Sequence, residues 1–394
     1  MTAPLTLSAK EAAAELGVSL PTLYAYVSRG LIRSDAPAGG RTRLYRAEDV
    51  RALVTRRDRP VEAASDRALD WGAPVLESAI TLITGDGLYY RGRDAGDLAA
   101  GATLEAVASL LWDSTEDAFA EEPSALPAFA SLPPGLDPLD RLLSLLPLAA
   151  ASDLRSVNRT QAGLARTGAR ILRLTAAILA GTNPSALPLH QQLCSAWGVA
   201  GPGTDLIRAA LVLCADHELN ASAFTVRCVA STGASPYAAL SAGIGALRGP
   251  RHGGMTARVA AILPGLLDAP DPTQALAAHL ARGDELPGFG HPLYAKGDVR
   301  AAWLLKRMAA TWGADTRMRR ALALARTATE MAGTPPTIDF ALVLLADRLG
   351  LPPHAPITIF TLGRSAGWVA HLLEQVRSGV LIRPRARYTG VRPA

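Results

Sequence analysis

From Leu104 to the C-terminus one pattern recurs: apolar residues at three- and four-residue spacing, stopped each time by proline or glycine. "LEAVASLLW" and "IDFALVLLADRLG" are examples. That period buries one stripe of a helix at a time, whereas a half-buried strand alternates every second residue. The residue types agree, because Ala and Leu form helices readily and β-branched runs are scarce. Apolar residues make up 49% of the 394 and aromatics only 5%, so Ala, Leu and Val must build the core. The expected fold class is all-α, in a chain long enough for two or three domains.

Several classes are set aside early. No stretch approaches the roughly 18 consecutive apolar residues of a membrane-spanning helix. Lys10, Glu11 and Glu15 interrupt any N-terminal signal core, so a cytoplasmic location is expected, without a membrane partner. Cys194, Cys214 and Cys228 lack paired metal-ligand spacing and have apolar neighbours, which predicts buried free thiols. No Gly-rich phosphate loop, strict repeat or low-complexity tract is found.

The net charge of +5 is modest, but its distribution is uneven. Up to Pro60 there are ten Lys and Arg against six Asp and Glu, so +4 lies in that segment. "SAKEAAAELGVSLPTLYAYVSRGLI" reads as helix, tight turn, helix. Ser8 and Glu11 have capping-box spacing, Gly17 stops the first helix, Ser19 caps the second with Pro21 in its first turn, and Gly30 ends it. "APAGGRTRLY" is a basic hairpin and "RAEDVRALVTRR" a third helix. "YVSRGLI" and "RLYRAEDVRAL" resemble the MerR and excisionase helix-turn-helix families. The resemblance implies a small winged DNA-binding domain over residues 1–60, with Thr22, Tyr24, Tyr26 and Arg29 facing the groove and Arg41 and Arg43 on the wing. Its positive charge supplies affinity rather than sequence choice. A polar stretch from Asp58 to Leu69 reads as the linker.

The rest, 61–394, opens with a hairpin-like turn at Gly85, Asp86 and Gly87. Polar clusters then interrupt the apolar helices. "CADHELNASAFTVR" holds His217, "GPRHGGMTARV" holds His252, and "GFGHPLYAKGDVR" holds His291 and Arg300. "TPPTIDFALVLLADRLG" brings Asp339 to a helix start, "TLGRSAGWVAHLLEQV" sets Arg364 in apolar company, and "LIRPRARYTG" carries Arg383. Singly, each has an ordinary explanation: a histidine beside glycine can cap a helix, and an aspartate in a first turn complements the helix dipole.

In this order the motifs resemble the citrate synthase family, from about Ile80 to Gly390. The resemblance implies a large and a small helical domain, the small one spanning roughly 254–350, closing over the substrates. It implies condensation of acetyl-CoA with oxaloacetate to citrate and CoA, with no permanently bound cofactor and no metal. Asp339 would remove the methyl proton, His252 would stabilise the enol, and His291 would polarise the ketone. Arg300, Arg364 and Arg383 would bind carboxylates beside His217, Arg383 reaching across a homodimer. Gly288, Phe289 and Gly290 would lie against the CoA adenine.

Thr256, Thr337 and Pro292 depart from that family's usual Asn, Asn and Arg, and the stretch after Ala180 is abbreviated. These departures bear on acyl-CoA choice, and 2-methylcitrate synthases, which use propionyl-CoA, share the motifs used. Two further readings come from the basic module: a DNA-binding regulator whose synthase-like body senses a metabolite, or a module serving only docking or assembly.

Overall fold

The computed structural model describes residues 6–28, 32–35, 43–51, 76–126, 132–133, 135–294, 296–386 and 388–391. The chain divides into two units, Met1–Glu77 and Ser78–Ala394.

In the first unit Ser8 accepts a hydrogen bond from the Glu11 amide while the Glu11 carboxylate accepts from the Ser8 amide at 2.8 Å. This reciprocal cap starts α1 (Ala9–Leu16), and Gly17 ends it in the left-handed conformation, φ +61°. α2 (Leu20–Ser28) follows, with Pro21 in its first turn. Strands β1 (Thr6–Leu7), β2 (Ser34–Asp35) and β3 (Leu44–Arg46) form an antiparallel sheet in the order β1-β3-β2. β2 and β3 are the stem of the expected basic hairpin, whose tip lies outside the described residues, as do Gly30 and the linker. Residues 47–51 are helical, as expected of the third helix. Ala12, Ala13, Leu16, Leu23, Ile32, Tyr45 and Val50 form the unit's own core.

The second unit begins with a hairpin. β4 (Thr81–Thr84) pairs with β5 (Gly87–Tyr90) across a two-residue turn at Gly85 and Asp86, and β6 (Arg93–Asp94) pairs with β5. Helices follow: α3 (Ala95–Gly101), α4 (Leu104–Trp112), α5 (Pro138–Ser152), α6 (Gln161–Ala180), α7 (Leu189–Trp197), α8 (Pro202–Leu213), α9 (Ala221–Ser231) and α10 (Pro236–Leu247). Then come α11 (Met255–Asp268), α12 (Pro272–Ala281), α13 (Val299–Trp312), α14 (Thr316–Ala332), α15 (Ile338–Leu349) and α16 (Ala355–Ser378). The fold is mostly helical, as the periodicity predicts.

Two packing groups matter for the site. α16 is buried on all sides and packs against α4, α6, α8, α9, α10 and α15, so it is the axis of the larger group. α11 to α15 pack on one another and carry the "GFGH" loop between α12 and α13. No helix among the described residues is long and apolar enough to cross a membrane. All three cysteines are free, and Cys194 and Cys214 are buried as expected. Cys228 corrects that expectation: it is only partly buried, because its face of α9 leaves the core.

Candidate active site

The site is centred on His217. Its segment, between α8 and α9, is held from several sides. The Asn220 side chain caps α9 by accepting from the Ser222 and Ala223 amides, and its amide group donates back to the His217 carbonyl at 3.3 Å. Glu218 takes φ +52° and its amide donates to Asp216 at 3.1 Å. The Tyr90 hydroxyl lies 3.1 Å from the Val212 and Leu213 carbonyls, securing the end of α8. The His217 ring therefore points inward, buried, with Nε2 3.0 Å from the Tyr294 hydroxyl. His291 stands edge-on to His217 at 5.1 Å between ring centres, and Tyr294 is 5.1 Å from His291. Burial, reinforced by the Arg300 and Arg364 charges, holds His217 well below the ordinary imidazole range, so it is neutral.

His252 reaches this centre from the loop before α11. Its Nε2 is 2.8 Å from the Ser222 hydroxyl, which also lies 2.7 Å from Asn220 Oδ1 and receives the Trp368 indole N–H at 3.1 Å. Ser222 has one proton and two acceptors within reach, so its orientation decides which His252 nitrogen carries hydrogen. Burial and the Arg364 charge push His252 down to about 4, so the ring is neutral at physiological pH.

The third contributor is the "GFGH" loop. Gly288 and Gly290 have φ of +83° and +77°, a region side-chain-bearing residues avoid. A Cβ on Gly288 would lie 2.6 Å from Val259 Cγ2. The glycines let the loop run along residues 335–337: the Gly290 amide donates to Pro335 and the Thr337 amide to Gly288, each at 2.8 Å. Phe289 meets Phe340 edge-on at 5.1 Å. The close approach that the glycines require is thus to the chain's own backbone just before Asp339.

Asp339 sits in the first turn of α15, deeply set yet keeping part of its surface open. The Thr337 hydroxyl lies 3.4 Å from its carboxylate. Burial raises its pKa to about 6, with Arg300 opposing and Asp298 adding to the rise. Arg300 is buried at the start of α13 and forms a forked pair with Asp298 at 2.9 and 2.8 Å. Its guanidinium lies 5.9 Å from the Tyr294 ring centre. Arg364, on α16, is also buried. Its Nε donates to the Cys214 carbonyl at 3.0 Å, its guanidinium covers Phe360 at 4.9 Å, and Nη2 has no hydrogen-bond partner among the described residues. α16 comes this near because Gly363 and Gly367 face the backbone of residues 211–216.

Five residues expected from sequence thus bear on His217 or on each other: His252, His291, Arg300, Arg364 and, through Arg300, Asp339. Arg383 does not join them in the single chain; it is exposed in the segment after α16. Tyr294, Asp298, Ser222 and Trp368 fall inside the quoted motifs but were given no role there. Only Asp298 left a local sign, an Asp two residues before an Arg at a helix start. An apolar crevice lined by Val259, Leu263, Leu286, Phe289 and Phe340 lies behind the loop and is lined by no charged residue. It belongs to the core of the α11–α15 group rather than to the polar site.

In the first unit, Thr22 and Tyr26 lie on α2, each part-buried, and Tyr24 lies on the same helix. Tyr26 packs against the small core, and the Thr22 hydroxyl is 2.9 Å from that of Ser19. Arg43 is exposed before β3, whereas Arg29 and Arg41 lie outside the described residues.

Comparison with known proteins finds relatives over most of the chain. Residues 68–385 match the family described as citrate synthase, C-terminal domain, and residues 6–58 match that described as helix-turn-helix domain. A citrate synthase of Haloferax volcanii is 32% identical, over 81% of this chain and 94% of its own. A 2-methylcitrate synthase of Shewanella oneidensis is 29% identical, over 82% of this chain and 94% of its own. The citrate synthase of Thermoplasma acidophilum, solved as a ternary complex with carboxymethyl coenzyme A and oxaloacetate, shares the fold. It has a TM-score of 0.69 and 22% identity, over 82% of this chain and 96% of its own.

Proposed function

Because the chain belongs to the citrate synthase family of acyltransferases, we propose that it condenses acetyl-CoA with oxaloacetate to give citrate and CoA. Asp339 takes a proton from the methyl carbon of the thioester, and the electron pair moves onto the thioester oxygen as an enolate. His252 donates a hydrogen bond to that oxygen. In this reading the Ser222 hydroxyl donates to Nε2 rather than to Asn220 Oδ1, which makes Nδ1 of the neutral ring the donor. The enolate carbon attacks the ketone carbon of oxaloacetate, and His291 gives the new alkoxide its proton. Water then cleaves the citryl thioester and CoA leaves.

The observation that carries this reading is the gathering of three rings kept neutral by burial, His217, His252 and His291, with two buried guanidinium groups, Arg300 and Arg364, and with Asp339, which burial raises to about 6 and on which the Arg300 charge acts. A base of that pKa is ionised at neutral pH yet strong enough to share a proton in the transition state. Arg300 and Arg364 suit the two carboxylates of oxaloacetate, since guanidinium forks bind carboxylates bidentately. His217 orients the ketone beside His291. Arg383 of the partner subunit completes the anion site in a homodimer, and Gly288, Phe289 and Gly290 line the CoA adenine site. The oxaloacetate and CoA analogue in the Thermoplasma acidophilum enzyme support this substrate pair. Thiol release from acetyl-CoA plus oxaloacetate tests it: turnover no greater than that of Asp339→Ala overturns it.

The similarity to 2-methylcitrate synthases supports propionyl-CoA as an alternative acyl donor, and the same assay run with propionyl-CoA decides which thioester has the higher kcat/KM. The helix-turn-helix match supports DNA as a partner, through Thr22, Tyr24, Tyr26, Arg29, Arg41 and Arg43. In this second reading the chain is a regulator sensing oxaloacetate or acyl-CoA. Salt-sensitive retention of promoter DNA, weakened by Arg43→Ala, supports it, and absence of retention counts against it.

A further inference from the structure

We infer that Asp298 is a positioning residue that joins the guanidinium of Arg300 to the helix start carrying Asp339, so that gripping a dicarboxylate and removing the acyl proton are coupled. The inference rests on the condensation reading above.

Both oxygens of this one carboxylate are fully engaged. Oδ1 accepts from the Arg300 amide at 3.0 Å and from Arg300 Nε at 2.9 Å. Oδ2 accepts from Arg300 Nη2 at 2.8 Å and from the Ile338 amide at 2.9 Å. The Asp298 side chain is 0% exposed and that of Arg300 3%, so no solvent competes for these bonds. Ile338 is the first residue of α15 and the immediate neighbour of Asp339, yet it stands 40 positions from Asp298. Thr337, at the N-cap of α15, makes no side-chain cap, so the Asp298 carboxylate caps this helix from outside while also capping its own α13. The other side of the same segment is held by the Gly288–Thr337 and Gly290–Pro335 backbone bonds.

A displacement of Arg300 has little slack to absorb it. When Arg300 turns to a carboxylate, its Nη2 and Nε carry Asp298 with them, and Asp298 Oδ2 carries the Ile338 amide and the adjoining Asp339. Charge follows the same path: Arg300 favours an ionised Asp339 and Asp298 disfavours it. A mere helix cap would support α13 and α15 without linking the two chemical steps.

The test uses the full chain, acetyl-CoA in D2O, and malate, a dicarboxylate without a ketone to attack. Asp339 removes a methyl proton and returns a deuteron taken from solvent, so mass spectrometry of acetyl-CoA reads enolisation alone. Malate is expected to accelerate this exchange in the unaltered chain. Asp298→Asn places an NH2 against the donors of Arg300 and Ile338, and is expected to cut the malate stimulation at least tenfold, even at saturating malate. Arg300→Lys, which leaves Asp298 on the Ile338 amide, is expected to do the same and serves if Asp298→Asn does not fold. A variant whose exchange falls equally with and without malate, keeping the stimulation ratio, overturns the coupling. So does an unaltered chain that condenses acetyl-CoA with oxaloacetate but shows no malate stimulation. An unaltered chain without condensation overturns the function reading itself.

Discussion

Replacing Asp339 with Asn is expected to abolish most activity and to stabilise the fold. Burial raises the carboxyl from its ordinary 3.8 to about 6. A group raised in the folded state favours folding below its unfolded pKa and loses that contribution as pH climbs through the folded value. The difference of about 2 pH units amounts to about 3 kcal/mol at most, roughly half of it already lost at pH 5 and all of it above pH 7. Asn, uncharged and of the same shape, avoids the cost of burying the ionised group. Thermal unfolding of both proteins from pH 5 to pH 8 checks this. Asp339→Asn should melt higher at pH 8, by on the order of 5 °C, with a smaller gap at pH 5, while kcat falls ~10²–10⁴-fold. A variant that melts lower than the parent at pH 8, or a gap that does not widen with pH, refutes the argument that burial rather than pairing sets the state of Asp339.

Catalysis needs the ionised carboxylate, so the kcat profile should fall on the acid side with a midpoint near pH 6. His252, held at about 4 by burial and Arg364, should add no step above that, and an initial-rate series from pH 5 to 8 reads both. Arg364→Lys keeps the charge but loses the fork and the Nε bond to the Cys214 carbonyl; KM for oxaloacetate should rise about tenfold or more, the equivalent of about 1.4 kcal/mol. Gly367→Ala would drive a methyl group into the Ala215 carbonyl and the Asp216 carboxylate. Denaturant titration should show a loss of roughly 1–3 kcal/mol, with weakened oxaloacetate binding.

What sequence disclosed about this fold was what is local. The Ser8–Glu11 box, the turn at Gly85 and Asp86, and α4 at Leu104–Trp112 all depend on neighbours within a few positions, and all occur as expected. β1 was not expected, because a strand of two residues is too short to show alternation. The principal site residues were legible as motifs, but their supports were not. Trp368 and Ser222 stand 146 residues apart, and Asp298 reaches Ile338 across 40, so no spacing rule links them. The glycines of "GFGH" let the backbone run along Pro335–Thr337, a partner more than forty positions on that no local spacing names. The partial exposure of Cys228 was hidden for the opposite reason: apolar neighbours in sequence do not fix which face of α9 a residue takes.

The bond from Arg364 to the Cys214 carbonyl joins positions 150 residues apart, through a contact that only glycine permits on α16. Closing a loop of that length costs about 4 kcal/mol of chain entropy before any reward arrives. The contact therefore exists only where α16 is docked against the end of α8, and neither helix supplies it alone. Any ligand that binds only the docked arrangement draws the whole population toward the native state.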